Sequence, residues 1–178
     1  ERKQAEEARA WLAAIVENSN DAIFTRALDG TILSWNAGAE RMLGYTSVEA
    51  IGKPISFTLP PGRQPNLARN NEKVLRGESV APHESNRMTR DGRLIDVLTS
   101  HSPLKDKAGN IAGASVILQD ITERKRAEDA RAQLAAVVEN ATVAIFTRTL
   151  EGIITSWNAG AEKMLGYTAA EAIGRHDA

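Results

Sequence analysis

The run Val97-Leu-Thr-Ser-His101 holds the side chains best placed for chemistry in this chain. Read as a strand, it alternates so that Val97, Thr99 and His101 share one face, which sets a hydroxyl and an imidazole beside an aliphatic group. Two polar groups on such a face need partners. One reading is structural, with His101 bonded to a backbone carbonyl or a water near the strand end. A second makes Thr99 and His101 the binding groups for a small polar ligand. A third rests on the ordinary imidazole pKa of about 6.5, which would let His101 respond to pH near cellular values.

Elsewhere the residue types exclude more than they offer. The chain has no cysteine, which removes disulfides, thiolate nucleophiles, Cys-ligated zinc and sulfur-attached cofactors. No spacing joins a nucleophile to a base, pairs two carboxylates or assembles metal ligands, and Gly38 and Gly44 are too isolated for a dinucleotide fingerprint. No catalytic residue and no metal site is expected, and the segment does not read as an enzyme. Trp35 and Trp157 read as packing against helices, with ligand stacking as the alternative, and Asn36 and Asn158 as helix caps. Lys plus Arg (22) nearly cancels Asp plus Glu (23), for a formal charge of −1, so no overall field draws in nucleic acid or anionic lipid. Apolar runs fall far short of the ~20 residues of a membrane-spanning helix, and no signal peptide is visible. The expectation is a cytoplasmic segment that touches no membrane.

These residues sit in a chain that repeats itself. Leu12-Ala-Ala-Ile-Val-Glu-Asn18 returns as Leu134-Ala-Ala-Val-Val-Glu-Asn140, and Ser34-Trp-Asn-Ala-Gly-Ala-Glu40 as Ser156-Trp-Asn-Ala-Gly-Ala-Glu162, at an offset of 122 residues. Solenoid repeats are several-fold shorter, so this is a tandem repeat of ordinary domains. The match runs from Glu1/Glu123 to Gly52/Gly174, roughly three-quarters identical, and the second copy stops at Ala178. With Glu rather than Met at position 1, the chain reads as a piece of a longer protein.

Local signals place the elements. Ala5, Ala8, Leu12 and Ile15 form one stripe of a helix over about residues 1 to 18. Ala22 to Arg26 and Thr31 to Trp35 flank Leu28-Asp-Gly30, where the Asp-Gly pair offers the positive backbone angles of a tight hairpin. Asn36 caps a helix that turns Met42 and Leu43 inward and ends at Gly44, and Ser47 to Ile51 is a second short helix. Asn66 to Gly77 reads as a helix carrying Leu67, Val74 and Leu75 on one side, with Gly77 as its C-cap. His83 to Arg90, Arg93 to Leu104 and Ile111 to Gln119 follow as strands joined at Asp91-Gly92 and Ala108-Gly-Asn110. Asp120 then caps a new helix, with Glu123 at capping-box spacing and a stripe of Ala127, Ala130, Leu134 and Val137.

A hairpin with Asp29-Gly30, then Trp35-Asn36, Gly44-Tyr-Thr46, short helices, Asp91-Gly92 and three strands ending in Asp120-Ile-Thr122-Glu-Arg-Lys125 resembles the PAS domain family, the sensor modules of bacterial signalling proteins. The resemblance covers residues 19 to 122 fully. It implies an α+β fold, a five-stranded antiparallel sheet of order 2-1-5-4-3 with short helices on one face, flanked by amphipathic linker helices. The domain plan is a linker helix (1–18), a PAS domain (19–122), an inter-domain signalling helix (123–140) and the N-terminal part of a second, truncated PAS domain (141–178). On this resemblance the face of Val97, Thr99 and His101 looks into a cavity, and Trp35, Val116 and Leu118 join it as candidate pocket residues.

The resemblance also weighs cofactors. PAS domains that hold haem resemble one another in a histidine from the long helix, here Gln64 to Glu78, which has none. Blue-light flavin domains share an Asn-Cys-Arg-Phe stretch and a glutamine two residues before the final Asp, where this chain has no cysteine and carries Leu118. Redox flavin domains carry a tryptophan near the strand starting at Val80 to Glu84, which also has none. Haem and flavin are therefore disfavoured, no cofactor is expected, and a small ligand of unknown chemistry remains. His83-Glu84 superficially resembles the phosphoacceptor box of histidine kinases, but it lies on a strand and reads as a solvated residue.

Asp120, Ile121 and Thr122 stand where the last strand hands over to the helix, so they are the expected signal-transfer residues. The helical stripes are narrow and suit a parallel two-stranded contact of modest stability. The function expected is a sensory and dimerisation module, a homodimer through its linker helices, of a larger signal-transduction protein whose effector is a histidine kinase, as in two-component systems, or a cyclic-dinucleotide enzyme. The alternatives are a ligand-free structural spacer and a cofactor-binding redox or gas sensor. Residues 141 to 178 are expected to leave an apolar face uncovered and to be poorly ordered, or to borrow cover from a neighbour.

Overall fold

A computed structural model describes residues 2–62 and 64–177, with the side chains of Arg2 and residues 64–67 left out. The repeat ends Glu1 and Ala178 and the side chain of Leu67 therefore lie outside the described residues. The chain divides into two compact units, Glu1–Glu123 and Arg124–Ala178.

In the first unit, α1 (Arg2–Glu17) precedes β1 (Ala22–Ala27) and β2 (Ile32–Trp35), then α2 (Ala37–Leu43), α3 (Ser47–Ala50), a 3-10 turn (Ile55–Thr58) and α4 (Gln64–Leu75). Three strands follow, β3 (Val80–Met88), β4 (Leu94–Lys105) and β5 (Ile111–Asp120), before α5 (Thr122–Glu139). The sheet has five strands in the order β2-β1-β5-β4-β3, as expected, and every neighbouring pair is antiparallel. Its buried face gathers Ala22, Phe24, Ile32, Trp35, Val97, Val116 and Leu118 with Leu43 of α2 into one core, and Met42 packs on it.

The turns differ from expectation in one respect. Among the described residues only glycines take positive φ, with Gly30 at 92°, Gly92 at 80° and Gly109 at 87°. Asp29 instead keeps ordinary backbone angles and accepts from Thr31 N–H at 2.9 Å. Each hairpin pairs a tight i to i+3 bond with a wider one, Gly30 N–H to Ala27 O at 3.0 Å and Ala27 N–H to Thr31 O at 2.8 Å in the first. A single glycine is therefore sufficient, the geometry of a three-residue loop with a bulge.

α4 begins two residues before the expected Asn66, β3 starts at Val80 rather than His83, and α3 gains a capping box in which Thr46 and Glu49 bond reciprocally. The apolar stripes of the linker helices are exposed throughout, and α5 buries none of its residues.

In the second unit, β6 (Phe146–Arg148), β7 (Ile154–Trp157), α6 (Ala159–Leu165) and α7 (Ala169–Ala172) repeat the first hairpin and its helices. The caps coincide: Asn36 has φ −85° and ψ 169°, and Asn158 has φ −86° and ψ 168°. Hairpin and caps return in the second unit because both are locally encoded. The uncovered apolar face is present, with Phe146, Leu150, Met164, Leu165, Tyr167 and Ile173 exposed.

Candidate functional site

The six expected pocket residues fall on the buried face of the sheet. Register aligns Trp35, Phe24, Val116, His101 and Val80 in one row across all five strands. The next row holds Ala22, Leu118, Thr99 and His83, and Val97 lies one pleat further along β4, opposite Ser85 of β3. Trp35 stacks obliquely on Phe24 at 5.1 Å and donates its indole N–H to Tyr45 O at 3.0 Å.

The partners of the polar members are side chains, where a backbone carbonyl or water was expected for His101. Asn70 of α4 places its amide nitrogen 3.2 Å from His101 Nε2, and the ring stacks on His83 at 6.0 Å. With the Asn70 amide donating, the imidazole proton sits on Nδ1. Thr99 Oγ1 lies 2.7 Å from Ser85 Oγ, and that hydroxyl accepts from Arg87 Nη1 at 3.4 Å. Asn71, next to Asn70, donates to Leu28 O at 3.2 Å.

Two arginines complete this interior, and the sequence reading missed both. Arg26 of β1 is 1% exposed and Arg87 of β3 is 7% exposed. Neither has a carboxylate partner among the described residues; their bonds go to Ala27 O, Asn86 O and Ser85 Oγ. Arg26 Nη2, Arg87 Nε, His101 Nδ1 and Asn71 Oδ1 are buried with no partner among the described residues. Most buried polar atoms are bonded, and a buried ion left unpaired costs several kcal/mol. The signal was available: alternation along Ala22-Ile-Phe-Thr-Arg26 puts Arg26 on the face of Ala22 and Phe24. Arg87 was hidden because His83, which shares its face of β3, was read as solvated.

The charges feel one another. Burial pushes the Arg87 guanidinium down to about 10, with the positive charge of Arg26 as a second cause, and burial also lowers Arg26. Burial, then Arg26, Arg87 and His83, push His101 down to about 3. His101 is therefore held in its neutral form across the physiological range.

At the sheet's edge toward α5, Ile121 N–H donates to Asp96 O at 2.9 Å, and Asp96 N–H donates to Thr122 Oγ1 at 3.0 Å. Asp120 does not act as the N-cap of a capping box; its Oδ1 accepts from Thr122 N–H at 2.8 Å, and the helix entry is held by β4 instead. Asp96 immediately precedes Val97, so the strand carrying Thr99 and His101 also holds the start of the linker.

The other candidates resolve as structure. Asn36 Oδ1 accepts from Ile23 and Ala39 N–H groups while its amide donates to Val16 and Asp21 carbonyls, a saturated cap. His83 is half-buried on β3. No group of His, Asp or Glu fit for a metal ion occurs among the described residues. α4 brings no histidine to the interior and the chain no cysteine, so the residues present do not fit the haem or flavin attachments weighed above.

A family profile described as PAS fold matches residues 16–126, and another so described matches residues 132–176. Over 176 residues the chain is 24% identical to Phytochrome B-2 of Glycine max, covering 92% of this chain and 15% of that protein. It is 36% identical over 109 residues to Two-component system protein A of Emericella nidulans, covering 60% of this chain and 16% of that protein. The chain thus spans about 15% of the length of such relatives. The PAS domain of a Colwellia psychrerythraea protein superposes with TM-score 0.59 at 25% identity, covering 65% of this chain and 98% of that one. A domain of a sensor histidine kinase/response regulator from Geobacter sulfurreducens, at 23% identity and TM-score 0.54, covers 64% and 94% and shows the fold alone.

Proposed function

The chain belongs to the PAS fold family, and on that premise we propose that its first unit senses a small ligand in the sheet interior and passes the state of that pocket to α5. The observation that carries this reading is the shared strand. Thr99 and His101 occupy one stretch of β4, and Asp96, at the start of the same stretch, holds Ile121 and Thr122 through its backbone. A ligand that shifts β4 therefore shifts the first turn of the helix, a bias on a two-state element that needs only a few kcal/mol.

The linker serves as a homodimer contact. Leu134 and Val137 on α5 are 67% and 69% exposed, and their stripe suits a second copy of the same helix. The effector is a histidine kinase or a cyclic-dinucleotide enzyme on the same polypeptide, in cytoplasmic surroundings. Support for the first comes from the likeness to a two-component system protein. No helix of the described residues is long and apolar enough to cross a membrane. The ligand is a diffusible small molecule rather than haem or flavin.

Amide exchange tests the coupling. Thr99→Val and His101→Val should change protection at residues 122–126 several-fold, beyond the effect of Ile32→Val, a core change on β2. Equal effects from all three would reduce the module to a structural spacer.

A further inference from the structure

Resting on the reading that this interior is a ligand pocket, we propose that its ligand is a small organic carboxylate, held between the guanidinium groups of Arg26 and Arg87 with the Nδ1–H of His101 as a third donor. Three observations converge on an anion.

The first is the set of orphaned atoms. Arg26 Nη2, Arg87 Nε and His101 Nδ1 are all N–H donors, all buried and all without an acceptor. They belong to three strands that share one face, β1, β3 and β4. An uncharged ligand would accept from such donors, but it would leave two buried cations unneutralised.

The second is charge. His101 feels the charge of both arginines, and Arg87 feels that of Arg26. Nothing acidic is bonded to either among the described residues. A carboxylate placed there relieves a repulsion that the protein otherwise bears alone, and its two oxygens suit the forked donor geometry of a guanidinium.

The third is supplied by the repeat. The arginine at the end of Phe24-Thr-Arg26 returns as Arg148 in Phe146-Thr-Arg148, in the same register against β7 as Arg26 has against β2. Arg148 forms an ion pair with the carboxylate of Asp177. At the 122-residue offset Asp177 corresponds to Ile55, a core residue of the first unit. Where the chain offers this arginine a carboxylate, the pair forms; in the first unit the carboxylate must come from outside.

Carboxylate is favoured over phosphate by the kind of donor. Phosphate sites draw on helix N-termini and backbone N–H groups, whereas every orphaned donor here is a side chain on a strand whose backbone is engaged in the sheet.

The test uses the 178-residue chain in thermal-shift and calorimetric titrations with acetate, succinate and glutarate, against inorganic phosphate and uncharged succinamide, alongside native mass spectrometry of protein from cells. A raised midpoint with a carboxylate and none with succinamide is expected, and Arg26→Gln and Arg87→Gln should each weaken binding at least tenfold. Arg87→Lys, which keeps the charge and loses the fork, should also weaken it. Without ligand, Arg87→Met should raise the unfolding midpoint, since an unpaired buried cation is removed, whereas an arginine with a purely structural role would lower it. Binding of phosphate alone overturns the carboxylate assignment. A neutral molecule retained equally by wild type and Arg26→Gln overturns the anion inference and leaves sensing intact. No probe binding and no retained mass overturns both.

Discussion

Thr122 and Asp96 bond to each other twice across the junction of sheet and helix: Asp96 N–H donates to Thr122 Oγ1 at 3.0 Å, and that hydroxyl donates to Asp96 O at 3.4 Å. One side chain thus engages both backbone groups of a β4 residue from the first position of α5. Thr122→Val keeps the shape, removes both bonds and leaves the Asp96 N–H without its acceptor. The expected cost is about 1–2 kcal/mol in urea unfolding, with faster amide exchange confined to the start of α5. Thr122→Ser should retain most of the stability.

Asn36 separates capping from core bonding. Its side chain makes four bonds, two accepted and two donated, at 2.7–3.1 Å. Asp is as good an N-cap as Asn on an ordinary helix, but here a carboxylate would face the carbonyls of Val16 and Asp21. Asn36→Asp should therefore cost about as much as Asn36→Ala, ~2–4 kcal/mol from a lost cap and orphaned buried groups. Denaturant midpoints of the two variants decide it.

Gly38→Ala should reverse the usual sign of that change in a helix. Alanine normally favours a helix interior by roughly 0.5–1 kcal/mol, yet a Cβ on Gly38 would stand 2.1 Å from Asp21 O and 2.7 Å from Ser19 O. Both neighbours are backbone, so α2 must lift from the turn before β1. A loss of about 2–3 kcal/mol is expected by thermal or chemical unfolding.

The pH dependence of stability should carry a His101 signature. Its folded pKa of about 3 lies below the ordinary 6.5, so between those values the unfolded chain binds more protons and stability falls as pH falls. Glu49 and Asp91, whose carboxyls are also held low, contribute only below their ordinary 4.5 and 3.8. His101→Gln should flatten the curve between about pH 6.5 and 4.5 and reduce, without abolishing, the slope below it.

Placing lysines at Leu134 and Val137 should abolish concentration-dependent dimerisation in sedimentation velocity. The unfolding midpoint of the first unit should hold, because α5 buries no residue of its own. A wild type that is monomeric at every concentration would remove the linker-helix dimer.

The sheet was legible because each of its signals is local: alternation along β1 and β4, a glycine at every hairpin, and Asn36 and Gly44 bounding α2. The six candidate pocket residues, taken from the family resemblance, all lie buried on one face of the sheet. What escaped was the polar interior, because charge was taken to mean surface. Arg26 obeys the alternation of its strand, and the lysine-and-arginine balance of the whole chain gives no hint that two of its cations lie inside. Asn70 and Asn71 were equally hidden, since helical periodicity marks the apolar Val74 beneath the helix and is silent on an amide that turns inward beside it.

The tryptophans turn this architecture into its own optical readout. Trp35 is 6% exposed, stacked on Phe24 in the row that includes His101, while Trp11 on α1 is 74% exposed. Indole emission moves to longer wavelength as its surroundings become polar, so the blue edge of the spectrum reports the sheet interior and the red edge a linker helix. With Trp157→Phe to clear the second unit, one titration followed at two wavelengths records ligand entry and helix response without a label.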